Sequence, residues 1–138
     1  MSDLVRISMS LESSLLERFD QLFQDAGYPT RSEAIKALMR QSLSEKAWTK
    51  DEFVAGSITL VYDHHRGGIV KQLMDIQHEF GAVIVSTQHV HLDHHHCLEI
   101  VVVRGKASEI RELISKLKSA KGVKHNSQVM TAIGKHLS

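Results

Sequence analysis

Val5, Ile7 and Met9 alternate with Arg6, Ser8 and Ser10. A period of two predicts a half-buried strand with one polar face. The residues after it read as helix through position 46, so this strand has no second strand to pair with in its own unit. A lone strand leaves a row of backbone N–H and C=O groups without partners. The simplest remedy is a two-fold dimer in which the strands of two chains pair antiparallel. The paired ribbon presents Arg6, Ser8 and Ser10 of each chain on one face. This is the arrangement with which β-ribbon proteins read the major groove of DNA. The plain alternative is a polar strand face turned to water.

The two helices are legible from periodicity and punctuation. Leu15, Leu16, Phe19, Leu22 and Phe23 recur at helical spacing, and Gly27 ends the run. After Pro29, Thr30 and Glu33 form a capping box that opens a second helix, with Ala34, Ile35, Leu38, Met39 and Leu43 on one face. Residues 4–46 thus read strand–helix–helix. A unit of roughly 50 residues buries too little surface to be secure alone, which again points to a partner chain.

From Glu45 to Glu52 the pattern turns polar, with Trp48 in its midst. A domain boundary is expected here, giving a first domain over residues 1–47 and a second over 54–138. The second reads as strand 54–62, helix 69–80 with Ile69, Leu73, Met74 and Gln77 on one stripe, strand 82–92, loop 93–96, strand 97–104, helix 108–119 and a last strand 123–131. The order βαββαβ is the ferredoxin-like signature. The predicted class is α+β, an N-terminal βαα unit followed by a βαββαβ domain.

Composition narrows function only in one respect. Net charge is +1, with 17 Lys and Arg against 16 Asp and Glu, so overall charge does not by itself suggest nucleic acid. No apolar run approaches the ~20 residues of a membrane helix, and the start Met1-Ser2-Asp3 lacks a signal-like core. The expected location is cytoplasmic. Cys97 is the single cysteine, which excludes a disulfide within the chain. The unusual quantity is ten histidines, grouped at His64-His65, His89-Val90-His91 and His94-His95-His96. Histidine is the commonest metal ligand, so a metal site becomes the leading question.

His89 and His91 lie two apart on an expected strand. Both therefore face the same way, with Cα atoms about 6.6 Å apart. Cys97 opens the next strand across a short hairpin and can lie near His91. Two nitrogens and a thiolate then converge where the chain crosses back on itself, with Thr87 and Glu99 placed to hold the ligands. The plain alternative leaves the histidines in solvent and Cys97 in the core. His94-His95-His96 reads as a wet loop, and His125 and His136 carry no assignment. Mixed nitrogen and thiolate donors near a plane suit Ni(II) or Cu(II), and ligand type alone does not separate the two.

Taken together, these residues resemble the NikR family of nickel-responsive transcriptional regulators over essentially the whole chain. The resemblance rests on Arg6-x-Ser8-x-Ser10, Gly27-Tyr28 with Arg31-Ser32-Glu33-Ala34-Ile35, and Gln77-His78. It continues through Ser86-Thr87-Gln88-His89-Val90-His91, Cys97-Leu98-Glu99-Ile100 and Gly122-Val123-Lys124-His125. It implies a ribbon-helix-helix DNA-binding domain and an ACT-like domain that assembles into a homotetramer, a dimer of dimers. It implies one Ni(II) per subunit in a square-planar site, with His89, His91 and Cys97 from one chain and His78 from a neighbour. Tyr62 and Glu99 match the residues around that site. The implied partner is operator DNA with inverted half-sites, and the implied outcome is repression of nickel uptake. Three departures stand out: serines at 8 and 10 where threonines are frequent, Ala37 where a second carboxylate would accompany Glu33, and Gly67 after Arg66 where two basic residues are frequent. Two other classes compete. One is a metal- or small-molecule-binding ACT-like module without DNA function, which has no use for residues 4–46. The other is an enzyme with Cys97 as nucleophile, against which stands the lack of any GxSxG, Walker A or HExxH motif.

Overall fold

The computed structural model describes residues 3–133; His136 lies outside them. The chain forms two compact units, one up to Ser42 and one from Leu43 onward. Eight elements follow in order: α1 (Ser13–Asp25), α2 (Arg31–Thr49), β1 (Phe53–Asp63), α3 (Ile69–Glu79), β2 (Ile84–His91), β3 (His96–Lys106), α4 (Ala107–Ser119) and β4 (Val123–Ala132).

The first unit is built as its punctuation predicts. Gly27 takes φ +84°, and the Gly27 and Tyr28 N–H groups donate to the carbonyls of Gln24 and Phe23. This is the Schellman closure of a helix, which a side chain with a Cβ resists. Thr30 Oγ1 accepts from the Glu33 N–H at 3.1 Å and caps α2. Arg31 clasps Asp20 through Nε and Nη2, at 3.0 and 2.8 Å, and so ties α2 to α1. The expected N-terminal strand makes no ladder within the single chain: residues 3–12 carry no regular structure. Leu4, Val5, Ile7 and Met9 are exposed along it. Strand structure requires a second strand to pair with, and this unit supplies none.

The second unit is a four-stranded antiparallel sheet in the order β2-β3-β1-β4. With α3 and α4 inserted as βαββαβ, this is the ferredoxin-like arrangement. One face carries Val54, Ile58, Leu60, Val101 and Val103, buried against Ile69 and Leu73 of α3 and Ile110, Leu113 and Leu117 of α4. The α3 stripe differs from expectation at one position. Met74 is exposed, and Ile76 and Phe80 pack on the core instead. The polar stretch from Glu45 continues as helix to Thr49. Trp48 is 3% exposed, its indole N–H donating to the Thr131 carbonyl at 3.0 Å. The Ser44 hydroxyl accepts from the Ala132 N–H, and Arg111 donates to the Trp48 carbonyl. Gly56 lies beneath the indole, where an added Cβ would stand 2.6 Å from the Val129 carbonyl oxygen. Among the described residues, no helix is long and apolar enough to cross a membrane.

Candidate metal centre

Strand register assembles the site. Cys97 in β3 is the partner of both Tyr62 in β1 and His91 in β2. One rung further, Glu99 is the partner of Leu60 and His89. Residues opposite one another across a ladder share a face, as do residues two apart along a strand. Tyr62, His89, His91, Cys97 and Glu99 therefore lie together, on the face that α3 and α4 cover, near the β2–β3 hairpin.

Cys97 is fully buried at the centre. Its Sγ stands 3.5 Å from His91 Nδ1 and 3.3 Å from His64 Nδ1. His89 faces Tyr62 instead, with its Nδ1 3.3 Å from the phenol oxygen. The His89 and His91 rings are 5.4 Å apart between centroids. His78 sits exposed in the last turn of α3, its carbonyl accepting from Gly81. It is brought to none of the other three within this chain.

The surroundings set protonation. Burial pushes the Cys97 thiol up, and the carboxylates of Glu99, Asp63 and Asp93 push it further. Burial likewise holds the Tyr62 phenol well above its usual range, with Glu99 and Cys97 adding to the effect. Tyr62 therefore stays protonated and can donate a hydrogen bond to Glu99. His64 is shifted down by burial and by neighbouring His65 and His91, which favours the neutral imidazole that binds metals. A bound cation reverses the thiol's preference, because a coordinating thiol is deprotonated outright. The donor set of imidazoles and one thiolate fits a borderline transition-metal ion such as Ni(II).

Two participants escape sequence reading. Gln77, expected on the packed stripe of α3, donates to Glu99 Oε1 at 3.0 Å and accepts from the Thr87 hydroxyl at 3.3 Å. A polar residue on an inward helical stripe was its signal. His64 reaches Cys97 across 33 positions of sequence. Its signal was its place two residues after Tyr62, just past the end of β1, where continuing the strand's alternation carries it to the same side. The loop histidines have structural work of their own. His65 meets the His94 carbonyl at 2.8 Å, and Asp93 accepts from the His95 and His96 N–H groups. Those bonds hold the Asp93 pKa down at about 2.

In the first unit, Arg6, Ser8 and Ser10 all lie exposed on the N-terminal segment. The expected companion to Glu33 is absent: Ala37 stands there, and Glu33 pairs with Lys36 at 3.3 Å.

Comparison with known proteins agrees with these two halves. Residues 55–131 match the NikR C-terminal nickel-binding domain, and residues 5–46 match the ribbon-helix-helix proteins of the copG family. A protein of Syntrophus aciditrophicus is 50% identical over 134 residues, covering 97% of this chain and 98% of its own. One of Pyrococcus abyssi is 51% identical over 136 residues, covering 98% and 99%. Both bear names containing the words nickel-responsive regulator. Among solved structures, an uncharacterized protein from Thermotoga maritima shares the fold, with a TM-score of 0.52 at 20% identity over 57% of this chain and 98% of its own. The class is that of DNA-binding regulators with a ribbon-helix-helix domain ahead of a nickel-binding domain, not that of enzymes. Within it, the chain belongs to the NikR family of nickel-responsive regulators.

Proposed function

We propose that this regulator is a cytoplasmic repressor of nickel uptake, activated by Ni(II) held in a square-planar site of three histidines and one cysteine. His89, His91 and Cys97 of one chain supply three donors, and His78 of the partner subunit supplies the fourth, one ion per subunit. The observation that carries the reading is the register of β2 and β3. It sets His91 directly across from Cys97 and His89 one rung away on the same face. Ni(II) gains most from a planar set of mixed nitrogen and thiolate donors. When bound, it supplies a rigid cross-link between chains and a charge that keeps Cys97 ionised.

The residues around the ligands support this role. With its Nε2 toward a metal, His89 keeps its proton on Nδ1 and donates it to the Tyr62 oxygen. Tyr62 in turn can donate to Glu99, which Gln77 also grips. Such partners orient a metal-binding imidazole. Gln77 immediately precedes His78, so the same chain of hydrogen bonds bears on where the end of α3 lies.

In this reading residues 1–47 are the DNA reader and residues 54–138 bind metal and assemble a dimer of dimers. The exposed apolar segment of Leu4, Val5, Ile7 and Met9, beside a groove lined by Leu16, Ile35 and Met39, suits a second copy of the same segment. The paired ribbon then offers Arg6, Ser8 and Ser10 to the major groove. A two-fold reader implies inverted half-sites in the operator. Nickel acts on DNA affinity as a coupling free energy between distinct sites, typically about 1–3 kcal/mol. The test is operator affinity measured with and without nickel, alongside an absorption spectrum of the nickel-loaded protein. A thiolate-to-nickel charge-transfer band with planar ligand-field features, and tighter operator binding, are expected. Operator affinity indifferent to nickel overturns the repressor reading.

A further inference from the structure

The two ends of α4 are fastened to different parts of the second unit. Near its C-terminal end, Lys116 donates to Glu79 Oε1 at 2.6 Å and lies over the Phe80 ring, 5.3 Å from its centroid. Glu79 directly follows His78 at the end of α3. In the first turns of α4, Arg111 donates to the Trp48 carbonyl at 2.6 Å, and the Ser108 N–H donates to Asp51 Oδ1 at 2.6 Å. We propose that α4 is the element that carries nickel binding to the DNA reader, with Lys116 as its latch on α3 and Arg111 with Asp51 as its lock on α2.

The lock is a reciprocal one. Helix α2 starts at Arg31 in the first unit, and its turns from Leu43 onward belong to the second. A helix leaves its last carbonyls and its first N–H groups without partners of its own. Arg111 of α4 meets one of those carbonyls in α2, at Trp48. Asp51 and the Glu52 carbonyl, just past α2, take the N–H groups of Ser108 and Ala107 at the start of α4. Charge agrees at both places, because a cation suits a helix C-terminus and a carboxylate suits an N-terminus. Asp51 holds φ +58°, a conformation that few residues with a Cβ adopt and that Asp tolerates better than most. Ser44 and Trp48 fasten the same turns of α2 to the end of β4.

Between latch and lock, α4 is packed without slack. Ile110, Leu113 and Leu117 are fully buried in the core that also holds Ile69 and Leu73 of α3. A close-packed interior passes a displacement on rather than absorbing it. The consequence rests on the reading in which His78 is the inter-chain nickel donor. Its capture by the ion fixes the end of α3, α4 follows through Lys116, and the end of α2 follows α4.

The test uses the full-length protein and three readouts: nickel affinity, the urea midpoint, and operator affinity with and without nickel. Lys116→Met and Arg111→Met keep an apolar stem and remove the charged donor. Each is expected to bind nickel as the wild type does and to lose most of the nickel-induced gain in operator affinity, a gain of the roughly 5–150-fold size typical of coupled sites. Arg111→Lys, which returns a donor toward the Trp48 carbonyl, is expected to restore part of the gain. The double variant Lys116→Met/Arg111→Met is expected to lose no more than the more affected single variant, because two changes on one route do not add.

A full gain in Lys116→Met or Arg111→Met overturns the proposal, whatever happens to the urea midpoint. Loss of nickel binding along with the gain also overturns it, since the residue then only supports the site. Losses that simply add in the double variant mean two separate routes and remove α4 as the carrier. If Arg111→Met does not fold, Lys116→Met and Arg111→Lys make the same comparison. Wild-type operator affinity indifferent to nickel overturns the nickel reading and this proposal with it, whereas a responsive wild type with equally responsive variants overturns this proposal alone.

Discussion

His91 stands directly across the β2–β3 ladder from Cys97, its Nδ1 3.5 Å from the buried sulfur. A two-strand register thus places two donors of unlike softness within reach of one ion. Cys97→Ala, His91→Ala and His89→Ala should each abolish tight nickel binding in equilibrium dialysis. His94→Ala should bind nickel almost as the wild type does, since its carbonyl rather than its ring meets His65. Full stoichiometric binding by Cys97→Ala rules out the site.

Tyr62→Phe keeps a ring in the core and deletes the oxygen that meets His89. Nickel affinity should fall by about 10–100-fold, as for other losses of a partner that orients a ligating imidazole. A competition titration reads this directly. An unchanged affinity means that His89 needs no such support.

Nickel affinity should rise with pH. Burial and the carboxylates of Glu99, Asp63 and Asp93 raise the Cys97 pKa above its already alkaline ordinary value, so the metal must displace a proton from the thiol throughout the neutral range. Each displaced proton contributes about tenfold in affinity per pH unit. Nickel affinity that stays flat from pH 6 to 8 contradicts a thiolate ligand.

Arg6→Ala should lose about 1–3 kcal/mol of specific operator binding, the worth of a bidentate contact to a base, while nickel binding survives. Fluorescence anisotropy on labelled operator, at fixed salt, measures it. Equal affinity of the two proteins means that the polar strand face meets only water.

Trp48→Ala should destabilise the second unit by about 3–5 kcal/mol, the usual cost of emptying an aromatic site in a core. The indole is 3% exposed, and its loss also strips the Thr131 carbonyl of a donor. Urea unfolding of the metal-free protein checks this; an unchanged midpoint would mean that the end of α2 is not integral to the sheet unit.

Sequence alone determined what depends on near neighbours. Gly27 and Thr30 end and begin helices through bonds spanning a few residues, and the alternation in β1 and β3 marks their buried face. His89, His91 and Cys97 were legible as a group because a short hairpin joins them, so spacing alone determines which way they face. The opening strand was legible as a pattern but forms no ladder in one chain, because its own unit supplies no second strand to bond with. Tertiary structure decided the rest. The burial of Trp48 depends on where β4 runs, 83 positions later in the chain. Gln77 meets Glu99, and His64 meets Cys97, only because β1 and β3 pair in one register with α3 laid across them. Such contacts are set by the packing of whole elements, and a shift of one residue in that register would turn Tyr62 and its face away from Cys97.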